Sequence, residues 1–469
     1  MILPRLLIAG THSGVGKTTV TLALLAGFRS QGRRVQPFKV GPDFIDPGHH
    51  QMASGRESRN LDGWMLGAGL NRVAFQCAAQ DADLSIIEGM MGLFDGSSPI
   101  NETGSSAEVA KQVNVPVLLV VDGSAIARSA AAMVFGYTRF DPEVKIAGVV
   151  FNRIKSEGHY QLLKEAVEKQ THVPVVGYIR PDSALTIPDR HLGLRTALET
   201  EGSELYGTLV QATTNTLDLS RIEQLAQVSS DWVEPFLSES PKVMEYSGES
   251  IRIGVAYDPA FCFYYPENIA LLEQAGGSAV RFSPLKDTKL PVGVEVLYLG
   301  GGYPEIYASV LEQNMAMRTG IEEFILQGGV VYAECGGLLY LSRSLKDFDE
   351  KVYEMVGVIP GDVVMSRTHM TLGYRELMLM QNGVLGEKGR RVRGHEFHYS
   401  HLENLGEVDY VGRITDARGK DCGDDGISVN NVVALYTHLH FASYPLVAVT
   451  LMQRARDLRK IRMPSHDEN

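Results

Sequence analysis

Two short stretches of this chain carry residue types and spacings that could do chemistry. The first is Gly10-Thr11-His12-Ser13-Gly14-Val15-Gly16-Lys17-Thr18-Thr19, which follows an apolar run and opens an apolar-periodic segment. Backbone N–H groups of such a loop converge on phosphate oxygens at a helix N-terminus, where the dipole also favours an anion. Lys17 would neutralise β/γ oxygens and the Thr18 hydroxyl would ligate Mg²⁺. The strict pattern G-x-x-x-x-G-K-[ST] would begin at Thr11, so the loop is a variant. Gly14 through Thr19 form the expected nucleotide contact, with ATP and Mg²⁺ as cofactors. Glu88 follows the apolar run Leu84–Ile87, at the edge where open α/β sheets bind ligands. Asp43 lies in Lys39-Val-Gly-Pro-Asp43-Phe44-Ile45-Asp46-Pro. Thr18, Asp43 and Glu88 are the expected metal ligands, and Lys39 joins them on phosphate. The Phe44-Ile45-Asp46 turn is expected to meet the substrate. Asp95, before Gly96, reads as a substrate or metal contact or as an Asp-Gly turn.

The second stretch is Gly329-Val-Val-Tyr-Ala-Glu-Cys335-Gly336-Gly337, read as strand, sharp turn and helix. That is a nucleophile elbow, with glycines relieving crowding around a strained residue. A helix N-terminus would favour the Cys335 thiolate. The Gly336 N–H would donate to an oxyanion, with Gly301 and Gly302 of the Gly300–Gly302 loop as the second source. The base would come from Leu435-Tyr-Thr-His438-Leu-His440, with His438 preferred and His440 an alternative on the same strand face. Cys77 and Cys262 read as buried structural cysteines, and His49-His50 as surface of the substrate-binding domain.

These groups need a frame. Strand-like runs at Leu6–Ala9, Val35–Val40, Leu84–Ile87, Val117–Val121, Ile146–Phe151 and Val173–Tyr178 alternate with helix-like stretches at Thr18–Arg29, Ser105–Val113 and His159–Glu168. That alternation predicts an α/β fold with a parallel sheet covered on both faces. The segment from Thr196 is less regular, and 238–250 reads as a linker. A second α/β pattern starts at Ile251, with strands at 251–257, Val294–Leu299 and Gly329–Ala333. Arg454–Asn469 resembles a polar tail or frayed helix. The expected domains are 1–237, binding ATP and substrate, and 251–469, carrying the cysteine.

Composition narrows the class. The 469 residues hold 44 basic and 56 acidic side chains, a net charge of −12, which argues against a nucleic-acid partner. No apolar run approaches the ~20 residues of a membrane helix, and the amino terminus, broken by Pro4 and Arg5, does not read as a signal peptide. Four scattered cysteines suit a reduced, cytoplasmic protein. Glycine is abundant, at 48 residues, as tight ligand-facing loops require.

The motifs together resemble a known family. ATPases of the MinD/ParA type carry a lysine where this loop has His12, which counts against a nucleotide-switch module. The loop is instead similar to that of dethiobiotin synthetase-like enzymes, and Asn152 is the adenine contact that this similarity implies. The second half resembles a class I glutamine amidotransferase domain of the cobyric acid synthase type. GTHSGVGKTT, KVGPDFIDP, EGMMGLFDG, GGGYPE, AECGGLLYL, GHEFHYS and YTHLHF follow one another in the order of the cobyrinate a,c-diamide synthase family. The resemblance implies an N-terminal P-loop domain and a C-terminal amidotransferase domain. It implies a ligase that amidates two acetate carboxylates of a corrin-type macrocycle, with L-glutamine as nitrogen donor and an interdomain path for ammonia. A homodimer is compatible with it. Nickel sirohydrochlorin and hydrogenobyrinate remain alternative substrates. Class I amidotransferases place a glutamate two residues after the catalytic histidine, where this chain has His440, so the resemblance leaves the orienting group open.

Overall fold

The computed structural model describes residues 3–185, 187–190, 193–200, 204–227, 248–368 and 370–462. The chain forms two compact units that meet in sequence at Ser240 and Pro241. Of the linker expected over 238–250, residues 238–247 lie outside the described residues.

In the first unit seven parallel strands form one sheet, in the order β3-β2-β4-β1-β5-β6-β7. They are β1 (Arg5–Gly10), β2 (Val35–Val40), β3 (Arg59–Leu61), β4 (Leu84–Glu88), β5 (Val117–Asp122), β6 (Ile146–Asn152) and β7 (Val175–Tyr178). The crossovers are α1 (Lys17–Ser30), α2 (Ile45–Ser54), α3 (Gly67–Ala79), α4 (Ser106–Gln112), α5 (Ser129–Phe140) and α6 (Glu157–Thr171). Side chains alternate between the two faces, so Leu7 and Ala9 enter one apolar layer while Leu6 and Ile8 enter the other. Both layers are dry, which is why these strands read as nearly continuous apolar runs. The segment expected to be irregular contains two helices, Leu205–Thr216 and Leu219–Ala226. Four threonines conceal the period of the first, yet Thr213 donates from its hydroxyl to the Ala23 carbonyl of α1 at 2.7 Å.

The strand order reverses beside β1, because β4 returns between β1 and β2 while β5 adds on the other side. A crevice at the carboxyl ends of the strands forms at such a reversal. Register brings the charged residues together there: Glu88 stands opposite Lys39 on one side and Ile8 on the other.

The second unit holds a ten-stranded sheet. Its parallel half runs Gly277–Phe282, Ile251–Ala256, Val296–Leu299, Val330–Glu334 and Val432–Leu435. An antiparallel half continues through Asp421–Val429, Asp409–Thr415, Thr371–Leu379 and Arg391–His398 to His438–Leu439. Arg454–Asn469, expected as a polar tail or frayed helix, is helical as far as Arg462, within the helix Leu446–Arg462. Val447, Ala448, Leu451, Met452 and Ala455 bury one face of that helix, and Arg459, one turn further along it, pairs with Glu295. No helix among the described residues is long and apolar enough to cross a membrane.

Arg5 fastens the start of β1 to the end of α4. Its fully buried guanidinium donates to the carbonyls of Val113 and Asn114 at 3.0 Å and of Leu3 at 2.9 Å. Hydrogen bonds from a charged donor contribute about 1.5–3 kcal/mol each when buried. Arg5→Ala is expected to destabilise the first unit by about 3 kcal/mol or more, lowering its thermal midpoint in calorimetry; an unchanged midpoint would contradict this role.

Candidate functional site

Each unit contains a candidate centre. In the first, Gly16 holds φ 96°, and a Cβ on it would sit 2.0 Å from the Asn152 amide nitrogen. Only glycine lets the loop close onto β6 there. Asn152, expected at adenine, donates to the Val15 carbonyl at 2.9 Å and accepts from the Arg153 N–H, so its amide braces the loop. Arg153 grips the Gly14 carbonyl at 2.8 Å and pairs with Asp122. A cavity of about 940 Å³ opens above, lined by Gly14, Lys17, Thr18, Lys39, Asp43 and Glu88 among others.

Lys39 is the hub of this cavity. Its ammonium pairs with Asp46, with Glu88 at 3.0 Å and with Asp43 at 3.7 Å. Burial alone would strip its proton, but the carboxylates of Asp46, Glu88 and Asp43 outweigh burial and hold its pKa above the ordinary value. Glu88 is also fully buried; the Lys39 charge and the His50 hydrogen bond overcome that burial and keep it ionised well below the usual range. Asp46 moves upward, through burial and the nearby charges of Asp43 and Glu88. For Lys17, burial and the Lys39 charge lower the pKa.

Thr18 donates its hydroxyl to Glu88 Oε1 at 2.7 Å. With the Asp43 carboxylate on the same cavity, these are hard oxygen donors of the kind Mg²⁺ takes together with phosphate oxygens and water. The donor set therefore fits that ion. Asp43 has a structural task as well: its Oδ1 accepts the N–H groups of Ile45 at 2.8 Å and Asp46 at 3.1 Å, capping α2. Phe44 precedes that helix, and Ile45 and Asp46 begin it, so the expected turn is a helix start. Asp95 closes a tight turn, accepting the Gly92 N–H at 2.9 Å.

The expectation that His49 and His50 lie on the surface is overturned. Both are fully buried. His49 bonds the Arg195 carbonyl at 2.8 Å and the Tyr206 hydroxyl at 3.1 Å. His50 reaches Glu88 Oε2 at 2.7 Å through Nε2, while Nδ1 meets Ser58 Oγ at 3.0 Å. One oxygen of Glu88 thus serves Thr18 and Lys39, and the other is fixed from behind. The signal was available: His50 follows Asp46 by four residues, one helical turn on the same face. Pro47 disguised it, although proline is tolerated in a first turn.

In the second unit Cys335 ends the strand Val330–Glu334 and precedes the helix Gly336–Leu341, with φ 44° and ψ −100°. A non-glycine residue at positive φ is strained, and such strain gathers at functional sites. Leu435, at the end of the neighbouring strand, accepts the Cys335 N–H at 2.7 Å. Gly302 approaches from the other side. A Cβ on Gly302 would lie 2.1 Å from the Ala260 carbonyl, and one on Gly336 would lie 3.0 Å from the Gly302 nitrogen. The Gly302 backbone is thereby packed against Gly336, the residue that follows Cys335. Gly301 does not join them, since its N–H donates to the Phe263 carbonyl at 3.3 Å.

The expected stabilisation of a Cys335 thiolate is not found. Burial, reinforced by the Glu305 charge, pushes the thiol upward, against the Gly336 N–H. Burial thus favours the protonated thiol. His438 lies against the loop: a Cβ on Gly301 would meet its Cε1 at 2.3 Å. His440 is turned toward Tyr265, ring centroids 4.4 Å apart. Cys262 is half-buried, and Cys77 is exposed on the outer side of α3 rather than in the core. Of the GHEFHYS residues, His395 meets the Tyr265 hydroxyl at 2.9 Å and Glu396 pairs with Arg375 at 2.6 Å.

Known proteins match both units. The CobQ/CobB/MinD/ParA nucleotide binding domain matches residues 6–194, and the CobB/CobQ-like glutamine amidotransferase domain matches residues 252–446. A cobyrinate a,c-diamide synthase of Priestia megaterium is 42% identical over 459 residues, covering 98% of this chain and 98% of its own. One from Syntrophotalea carbinolica is 44% identical over 451 residues, covering 95% and 97%. Likeness of this extent, over both units, establishes that the chain belongs to the cobyrinate a,c-diamide synthase family of glutamine-dependent amidating ligases.

Proposed function

We propose that this enzyme amidates the a- and c-acetate carboxylates of cobyrinate in cobalamin biosynthesis, using ATP and glutamine. The near full-length likeness to relatives named for that reaction carries the reading. Two centres of different chemistry in one chain support it.

A carboxylate is a poor acyl donor to ammonia at neutral pH, and phosphorylation gives it a good leaving group. The first unit would bind ATP and macrocycle. Loop N–H groups and Lys17 take the triphosphate, and Lys39 offsets charge on the transferring phosphoryl group. Thr18, Asp43 and Glu88 would hold Mg²⁺, which supplies charge stabilisation to the phosphates when bound. Asp46, buried against Lys39, and the start of α2 at Phe44 and Ile45 face the acceptor carboxylate.

The second unit would release ammonia from glutamine. The Cys335 sulfur bonds to the amide carbon while its proton passes to His438. Gly302 and Gly336 N–H groups take the oxyanion. The C–N bond then breaks, and His438 returns the proton to the departing ammonia. Water clears the thioester as glutamate. Ammonia displaces phosphate from the acyl phosphate, leaving an amide and inorganic phosphate.

Mass spectrometry after incubation with ATP, Mg²⁺, glutamine and each candidate macrocycle tests the substrate. Two amidations of cobyrinate are expected; amidation of nickel sirohydrochlorin alone would overturn the assignment. The His50–Glu88 contact makes a second expectation. His50→Ala should cut ATP-dependent amidation about ten- to a hundred-fold, as loss of a ligand-orienting partner does, and His50→Gln less. Equal rates for wild type and His50→Ala, read as ADP release, would exclude that role.

A further inference from the structure

A base that accepts a proton inside a dry site needs an anion close by, because burial disfavours its charged form. His438 is such a base: burial, with the neighbouring His398 in support, pushes its pKa down to about 3. The residue two positions on, where class I amidotransferases carry the orienting glutamate, is His440. Its ring is fully buried, and neither ring nitrogen has a hydrogen bond among the described residues. His440 brings no negative charge.

The anion reaches His438 from another strand. Glu334 ends the strand that leads into Cys335, and its Oε2 lies 3.9 Å from Nδ1 of His438. The Tyr298 hydroxyl donates to Oε2 at 3.1 Å. Oε1 accepts the Tyr332 hydroxyl and the Leu439 N–H, the latter at 3.0 Å. The same carboxylate thus holds the backbone next to the base and faces the base itself. Glu334 is 1% exposed. Burial pushes its pKa up to about 8 against the three donors, and a proton arriving on His438 would draw it back down. A buried acid is a demanding thing to keep in a core, and a functional task explains its presence.

We propose that Glu334 is the positioning residue of the glutaminase: it orients His438 and offsets the imidazolium formed when His438 takes the Cys335 proton. The inference rests on the Cys335–His438 reading above. One residue on each side of an elbow then serves the reaction, Glu334 through the base and Gly336 through the oxyanion.

Full-length enzyme is assayed with glutamine and, separately, with ammonium chloride as nitrogen source. Glu334→Gln is expected to lower the glutamine-dependent kcat about a hundred-fold, less than the roughly 10⁴-fold loss of a hydrogen-bonded triad acid because this carboxylate stands 3.9 Å from the ring, with KM for glutamine within about twofold. Ammonium-dependent amidation should stay at the wild-type rate. Glu334→Asp, which keeps the charge but withdraws it by one methylene, should fall between the two, and it decides the matter if the Gln variant does not fold. A glutamine-dependent kcat within twofold of wild type in either variant would overturn the proposal. So would a parallel loss of ammonium-dependent activity, which marks a structural role. Cys335→Ser separates the two readings. If it keeps glutamine-dependent activity, the Cys335–His438 reading fails; if it is inactive with glutamine while the Glu334 variants are not, only the role of Glu334 fails.

Discussion

The ammonium of Lys39 is the interaction on which the first unit depends. It is buried at the carboxyl edge of the sheet, and a lone buried charge there would be prohibitive. Three carboxylates from three segments answer it: Glu88 from β4, Asp46 from α2 and Asp43 from the turn between β2 and α2. The strand order makes this possible, because β4 inserts beside β2 and sets Glu88 opposite Lys39 in register. Removing one partner of such a set leaves an uncompensated charge, so the residues stand or fall together. Net charge in the set is balanced toward the acid side, and that excess of carboxylate keeps Lys39 protonated.

The second unit solves an opposite problem. Its reacting groups are held neutral: the Cys335 thiol is pushed up, while His438 is pushed down to about 3. In the proposed reaction, charge would appear there only when the proton moves and the oxyanion forms. Cys335 is held at positive φ, and the Gly302 and Gly336 backbones approach closely. Preorganised dipoles in a dry site act strongly because no water competes with them. The acidity of the whole chain, −12, matters less than these local arrangements, since an anionic substrate must find basic groups and N–H donors in a pocket.

Much of this was legible in the residues. The apolar runs that stop at Glu88 and at Glu334 mark strand ends, so Glu88 and Cys335 could be placed at edges without coordinates. The glycines of both loops could be read for the same reason, since an abrupt turn between strand and helix demands them. His50 was hidden because Pro47 made a helix start resemble a turn. The helix at 205–216 was hidden by its threonines, and that at 219–226 by Ser220, Arg221, Glu223 and Gln224. Electrostatics was the least legible: the dipole of a six-residue helix suggested a thiolate, whereas burial and Glu305 decide the opposite. Glu334 adjoins Cys335 in sequence, but its approach to His438 exists only once the strands Val330–Glu334 and Val432–Leu435 lie side by side.

The central claim is that ATP activates a macrocycle carboxylate as an acyl phosphate before ammonia arrives. Cobyrinate carrying ¹⁸O in its acetate carboxylates tests this directly. The account predicts that one ¹⁸O passes to inorganic phosphate for each amide formed, read by phosphorus NMR. Inorganic phosphate free of ¹⁸O, with amidation proceeding normally, would contradict it.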